Sequence, residues 1–282
     1  MDLTLGVILG LHCPVYRGLE AALARAADLG CEAMQMLPYR RHDPPTTEEC
    51  AAFDKARRAS SVKRLFIHSR FVPSLASSDS ARRMRSMGHL ASELRLAAAL
   101  GGEAYVLHGG AYSVGSSFDE GLRFFKESVT RATAEAGVKV PIYLENVPGG
   151  GRRMGGTLEE LAKLVEACPG ASACLDTAHA WAAGYPLSTA EGMLKFLSLA
   201  HRLLGADTVK LFHLNDTRAL LGSNRENHAH WGKGFLGTES LKTLLGRDEY
   251  ANVVGIIEPP LGPAEDDRAS LAFVRRLTAR AS

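Results

Sequence analysis

Along the chain, short apolar runs recur at intervals of roughly 30 residues, each followed by a polar or Gly-rich turn and a longer amphipathic stretch. That rhythm is the βα alternation of a parallel sheet. Eight runs are predicted strands: Leu3–Leu11, Ala33–Leu37, Arg64–His68, Ala104–His108, Val140–Glu145, Ser172–Asp176, Val209–Leu214 and Val253–Glu258. Between them lie helical patterns with apolar residues at three and four spacing, for example Gly18–Leu29, Ser80–Leu100, Phe118–Ala136, Thr157–Ala167, Thr189–Leu204 and Ala264–Arg280. Thr157 with Glu160 is a capping-box start. Eight βα units in 282 residues predict an α/β fold closed into a (β/α)8 TIM barrel. An open doubly wound sheet more often shows a glycine fingerprint after its first strand, and neither GxGxxG nor GxxxxGK[ST] occurs here. No Pro/Gly/Ser linker divides the chain, so residues 1–282 are expected to form a single domain.

Chemistry in such barrels sits at the C-terminal ends of the strands. There the third strand ends in His68, the fourth in His108, the fifth in Glu145, the sixth in Asp176 with His179 close behind, the seventh in His213 and the eighth in Glu258. His12 follows the first strand directly. A barrel core should instead show Val, Ile and Leu, because a buried ionisable group without a partner costs several kcal/mol or shifts its pKa. Singly, each of these residues reads equally well as a hydrogen-bonded structural group. Together they would set acid against acid on one rim unless cations neutralise them. Imidazole with carboxylate and no thiolate suits Zn, Mn or Fe. The segment after the seventh strand, NDTRALLGSNRENHAHWGKGFLG, adds Glu226 and His228 two residues apart, plus His230. It reads either as an extended loop closing over the site or as a solvated, glycine-punctuated loop.

Composition narrows the class. With 46% hydrophobic residues the chain can bury a substantial core, which excludes disorder and low complexity. The 33 Lys and Arg against 31 Asp and Glu leave +2, so any polyanion site must be local. Cys13, Cys31, Cys50, Cys168 and Cys174 form an odd set without a CxxC pair, which points to a reducing compartment and no disulfide framework. The apolar run at the N-terminus lacks a basic flank and is too short to span a bilayer. A soluble, cytoplasmic protein with no membrane partner is expected.

Three separated motifs carry a family resemblance: ENVPGGG from Glu145, LDTAHAWAAGY from Leu175, and HLND from His213 with the later HAHWGKG. In that order they resemble endonuclease IV, the second family of apurinic/apyrimidinic endonucleases. The resemblance runs along nearly the whole chain. It implies a xylose-isomerase-like barrel and a zinc-dependent DNA-repair enzyme with up to three Zn2+ per chain. His68, His108 and Glu145 match the ligands of one metal. Glu145 would bridge to a second, held also by Asp176, His213 and Glu258. His179, Glu226 and His228 match the third. The sequence departs from the family pattern at Glu226, where Asp is usual, at Asn227, where a basic residue is usual, and at Ala178, where Cys or Ser is common. Phe71 and Val72 replace the usual Tyr-Leu pair. A carboxylate longer by one methylene at the third site would either bind bidentately, displace the metal slightly, or weaken the site in favour of Mn2+ over Zn2+.

Four carboxylates and three dications would leave the site net positive, which suits a phosphodiester. The implied reaction is cleavage 5′ to an abasic site in double-stranded DNA, leaving a 3′ hydroxyl, with trimming of blocked 3′ ends; Glu145 would orient the nucleophilic water as the catalytic residue. Arg17, Arg40, Arg41, Arg70, Arg152, Arg153, Arg225 and Lys233 fall in loops beyond the strand ends and would contact phosphates, or else are ordinary surface charge. Phe71 or Val72 would be an apolar wedge in the minor groove, or Phe71 a core residue. His42, beside Arg40 and Arg41, is a further DNA contact candidate, whereas His89 and His201 look like loop or helix surface. A monomer is expected. Two other readings stay open: a single-metal sugar isomerase or epimerase using Glu145, Asp176, His213 and Glu258, and a noncatalytic binder of abasic DNA.

Overall fold

The structure, a computed structural model, describes residues 7–41 and 43–278. Strands β1 (Ile8–His12), β2 (Ala33–Met36), β3 (Arg64–His68), β4 (Ala104–His108), β5 (Ile142–Glu145), β6 (Ser172–Asp176) and β7 (Val209–His213) are followed by a two-residue antiparallel ribbon, β8 (Asp216–Thr217) with β9 (His228–Ala229), and by β10 (Val254–Ile257). Eight of these are parallel and close in the order β1-β10-β7-β6-β5-β4-β3-β2. The helices are α1 (Leu19–Asp28), α2 (Thr47–Ala59), α3 (Ser80–Ala99), α4 (Phe118–Ala136), α5 (Leu158–Ala167), α6 (Thr177–Ala183), α7 (Ala190–Leu204), α8 (Gly237–Leu245) and α9 (Ala264–Thr278).

Strand side chains alternate between two cores, as a period of two requires. Ala33, Phe66, Val106, Tyr143, Cys174, Leu211 and Ile256 belong to one buried cluster, while their neighbours Met34, Leu65, Leu107, Leu144, Leu175, Phe212 and Ile257 belong to the other, which includes the helices. The first cluster fills the barrel interior. Gly10 of β1 makes room for it: a Cβ there would lie 2.5 Å from both the Ala33 carbonyl oxygen and Ile256 Cδ1. Two residues further along each strand, on the same side, come His12, Gln35, His68, His108, Glu145, Asp176, His213 and Glu258. The apolar plug and the polar layer above it are thus one register.

The predicted strands all form; β3, β4 and β6 have the predicted ends, and the other five are shifted by one or more residues. β1 begins at Ile8 and includes His12; Leu3 to Gly6 lie outside the described residues. β5 starts at Ile142 rather than Val140, because Pro141 has no N–H to give and only its carbonyl pairs, accepting from Tyr105 N–H at 2.8 Å. Helices α2, α6 and α8 are additional to the six patterns named from the sequence. Thr157 caps α5 through Glu160 N–H, but the capping box is incomplete: Glu160 Oε2 accepts from Gly155 and Gly156 N–H instead. All five cysteines are free and buried. Among the described residues no helix is long and apolar enough to cross a membrane.

Candidate metal centre

The polar layer gathers three groups of donors, in each of which the atoms lie within 4.8 Å of one another: His68, His108 and Glu145; Glu145, Asp176, His213 and Glu258; and Asp176, His179 and His228. Glu145, 1% exposed, is the hub. Its Oε2 lies 3.0 Å from His68 Nε2 and 2.8 Å from His108 Nε2. Its Oε1 lies 3.0 Å from His213 Nδ1 and 3.1 Å from His179 Nδ1. Asp176 ends β6 and caps α6 through Oδ1, which accepts His179 N–H at 2.7 Å, so one carboxylate both starts the short helix and sets His179 one turn along it. Its Oδ2 is left to the site, held by Asn215 Nδ2 at 2.6 Å.

The ring orientations fit metal ions. His179 donates Nδ1–H to the Asn146 carbonyl at 2.9 Å and His228 donates Nδ1–H to the Glu258 carbonyl at 3.1 Å. Each therefore turns an Nε2 lone pair inward, and both Nε2 atoms are buried without a hydrogen-bond partner. Orphaned imidazole lone pairs beside a carboxylate are the donor set a dication takes. Glu226, 58% exposed at its side chain, stands further out, with Oε2 3.6 Å from His179 Nε2 and Oε1 3.9 Å from His228 Nε2. Asp176 Oδ2, buried, lies at a similar 3.8 Å from His228 Nε2, so the pair faces a buried carboxylate on one side and the exposed Glu226 on the other. His230 points elsewhere, its Nδ1 3.1 Å from Ser270 Oγ on α9.

Electrostatics follow the packing. Burial opposes charge on Glu145, yet His213 and His108 hold its carboxyl well below the usual range. Glu258, only partly exposed, meets the same opposition from burial and is held well below the usual range by His213 and His12. Glu226 falls to about 2, chiefly because of His179. Burial opposes charge on the imidazoles too, but surrounding acids prevail: His179 is raised well above its usual value by Asp176, Glu145 and Glu226, and His68 is raised by Glu145 and Glu258. His213 is raised well above its usual value by Cys174, Glu258 and Glu145 in spite of its burial.

Several supporting residues escaped the sequence reading. Gln35, fully buried, donates Nε2–H to Glu258 Oε1 at 2.6 Å and accepts His213 Nε2–H at 2.9 Å on Oε1, with its Nε2 also 2.9 Å from His12 Nδ1. It fixes the His213 tautomer so that Nδ1 faces Glu145. Asn146 brackets Asp176, donating to its carbonyl at 3.0 Å and accepting its N–H at 2.7 Å. Asn215 reaches both Asp176 and Glu258.

The basic rim is uneven. Arg40, Arg41 and Arg70 line a groove of about 850 Å³ together with His12 and Glu258, next to the acids of the centre. Arg40 donates to the Tyr16 carbonyl at 3.3 Å, and Arg41 is exposed with φ 48°. Arg152 donates Nε–H to the Tyr112 carbonyl at 3.1 Å. Arg153 clasps two loops, its Nη1 donating to the Gly149 and Asn224 carbonyls at 2.9 and 3.1 Å. Arg17, Arg225 and Lys233 are exposed. Phe71 and Val72, 51% and 61% exposed, are not core residues. His89 and His201 lie exposed on α3 and α7, as expected, and His42 lies outside the described residues.

A family model described as xylose isomerase-like TIM barrel matches residues 23–277. The chain is 33% identical over 281 residues to the probable endonuclease 4 of Solibacter usitatus, covering 95% of this chain and 96% of that protein. It is 33% identical over 284 residues to the probable endonuclease 4 of Geobacter sulfurreducens, covering 96% and 95%. The crystal structure of endonuclease IV from Thermus thermophilus superposes with a TM-score of 0.84 at 32% identity, over 97% of this chain and 99% of that one. A D-tagatose 3-epimerase-like protein at 19% identity and TM-score 0.71 shares the fold. This chain belongs to the endonuclease IV family of xylose isomerase-like TIM barrels.

Proposed function

We propose that this chain is a metal-dependent DNA-repair endonuclease that hydrolyses the phosphodiester 5′ to an abasic site in duplex DNA, leaves a 3′ hydroxyl and trims blocked 3′ ends. The observation that carries this reading is the surplus of donors: beyond the Glu145, Asp176, His213 and Glu258 tetrad stand His68, His108 and a buried pair, His179 and His228, with unpartnered Nε2 atoms. His68, His108, Glu145, Asp176, His179, His213, Glu226, His228 and Glu258 would together hold up to three Zn2+, with Mn2+ admitted at the site Glu226 reaches. Bound dications supply Lewis acidity, which brings water ionisation to near neutral pH and offsets the charge that builds up in phosphoryl transfer.

The chain's own groups do the rest. Glu145 orients the attacking water, since its two oxygens already face four imidazoles. Arg40, Arg41 and Arg70 neutralise phosphates along the groove beside the centre, with Arg152, Lys233, Arg17 and Arg225 around it. Arg153 contributes by clasping the loop that carries Glu226. Phe71 and Val72 enter the minor groove as a wedge, where an abasic nucleotide leaves the stack at a cost of only a few kcal/mol. Residues 1–282 act as one barrel domain and as a monomer in the cytoplasm.

A sugar isomerase or epimerase would use the tetrad alone and bind one metal. Elemental analysis of protein purified without chelator distinguishes the two: two or three metals per chain, with cleavage of an abasic duplex into a polymerase-extendable 3′ end, support the nuclease. One metal per chain and no cleavage would overturn it. A Glu145→Gln variant that keeps its metals should lose cleavage.

A further inference from the structure

Glu93 of α3 is a buried acid, 3% exposed, with no ion pair among the described residues. Taking a carboxylate out of water costs several kcal/mol unless hydrogen bonds replace those it loses. Three donors do so here, and they come from three different elements. Glu93 Oε1 accepts Tyr39 O–H at 3.1 Å, and Oε2 accepts Tyr105 O–H at 2.6 Å and Arg70 N–H at 3.1 Å. Tyr105 belongs to β4 and anchors the carboxylate to the barrel wall. Tyr39 immediately precedes Arg40 and Arg41, and Arg70 immediately precedes Phe71 and Val72.

The two loops are also tied to each other. Arg70 Nη1 donates to the Tyr39 carbonyl at 2.8 Å, and its guanidinium carbon lies 5.0 Å from the Tyr39 ring centre and 5.2 Å from that of Phe71. Phe71 and Val72 line a cavity of about 370 Å³ together with Tyr39, Glu93 and Tyr105. Among the described residues, the Glu93 carboxylate on its wall is the one group that accepts a hydrogen bond from both loops, through Tyr39 O–H and Arg70 N–H.

We infer that Glu93 is a positioning residue that couples the Arg40–Arg41 loop to the Phe71–Val72 loop, so that phosphate capture and wedge insertion occur as one event. The inference rests on the DNA-repair reading above. An apolar residue at position 93 would pack α3 against β4 equally well but could not receive both loops.

The test compares Glu93→Gln, Tyr39→Phe and the double variant in the full chain. A glutamine offers one acceptor oxygen for three donors, and Tyr39→Phe keeps the ring under Arg70 while removing only the hydroxyl. Hydrogen exchange at the amides of residues 71 and 72 should rise about fivefold in each single variant, although Tyr39 lies on the other loop. On an abasic duplex, KM should rise about tenfold with kcat changed less than twofold, and the two substitutions should not add, because they break the same bond. Unchanged exchange at residues 71 and 72 in Tyr39→Phe overturns the coupling, and raised exchange with an unaltered KM overturns its part in DNA binding. If Glu93→Gln does not fold, Tyr39→Phe alone decides. The exchange measurement needs no DNA, so a wild-type chain that fails to cleave abasic DNA would refute the functional reading, and with it the role in DNA binding, while the exchange data would still decide whether Glu93 couples the two loops.

Discussion

His179 and His228 present two buried, unpartnered Nε2 atoms on rings whose centres lie 5.5 Å apart. Neither orphan is an accident of side-chain choice, because each ring spends its other nitrogen on a main-chain carbonyl. In the neutral form that binds metal, Nδ1 carries the proton and Nε2 is an acceptor, and the carboxylates close by are acceptors too: Asp176 Oδ2 at 3.8 Å from His228 Nε2 and Glu226 Oε2 at 3.6 Å from His179 Nε2. A buried acceptor left unsatisfied costs about 1–3 kcal/mol. A group of acceptors alone is stabilised by a cation.

Replacing His228 with Ala should therefore lower the metal content by one per chain while the Glu145, Asp176, His213 and Glu258 group stays loaded. Cleavage of an abasic duplex should fall on the order of 10²-fold or more. Elemental analysis beside a rate measurement checks both. An unchanged metal content would remove His228 from the ligand set.

Proton linkage gives a second expectation. His68, His179 and His213 are raised above the ordinary value of 6.5, so without metal these rings hold more tightly the protons that a dication must displace. Metal uptake should release protons, and apparent affinity should fall as pH falls. Calorimetric titration in buffers of different ionisation enthalpy reads the proton count. The same protons stabilise the chelated fold: that contribution is complete below pH 6.5 and is lost as pH rises through the raised values. Glu145, Glu226 and Glu258 act oppositely, contributing above their ordinary value of 4.5 and losing it as pH falls through their depressed values. Chelated protein should melt progressively lower on the alkaline side of neutrality, and metal should flatten that slope. A chelated protein whose melting temperature rises there would contradict the sign.

Most of the polar cluster that forms the candidate centre was legible because it obeys the strand period. Phe66 predicts His68, Val106 predicts His108, Tyr143 predicts Glu145 and Leu211 predicts His213, each two residues on. By the same step Ala33 predicts Gln35, but an amide does not titrate, and a search for ionisable strand ends passes over it. Helix α6 was hidden for another reason: Thr177 to Ala182 are all buried, so no polar face betrays the helical period. Loop side chains carry no periodic signal, which is why Arg153 was named from its position among the phosphate contacts while its clasp on the Gly149 and Asn224 carbonyls was not foreseen.

Gln35 has a consequence of its own. By accepting His213 Nε2–H and donating to Glu258 Oε1, it orients two groups of one donor set. Gln35→Leu keeps the volume and removes both bonds. Metal affinity should fall about 10–100-fold, read by competition with a chromophoric chelator. An affinity within twofold of wild type would mean that packing alone sets the His213 tautomer.

Asp216 tests how the loop bearing His228 is held. It is fully buried in β8, directly opposite Ala229 of β9, and it accepts four main-chain N–H groups: Thr217 at 2.8 Å and Leu236 at 3.1 Å on Oδ1, Gly232 at 3.1 Å and Gly234 at 2.9 Å on Oδ2. No side chain other than glycine fits at position 234, where a Cβ would sit 2.3 Å from Asp216 Oδ1. Asp216→Asn preserves the shape but turns an amide NH2 toward two of those donors, leaving them unsatisfied at about 1–3 kcal/mol each. The variant should unfold at lower denaturant concentration and become sensitive to proteolysis between residues 218 and 227. It should also lose the metal that His228 would hold while keeping the metals of the Glu145 hub. If Asp216→Asn retains the full metal content, the loop's other ties, among them Trp231 Nε1–H to the Leu214 carbonyl at 2.8 Å and Phe235 N–H to the Thr217 carbonyl at 2.8 Å, are enough to seat it, and the buried carboxylate serves stability alone.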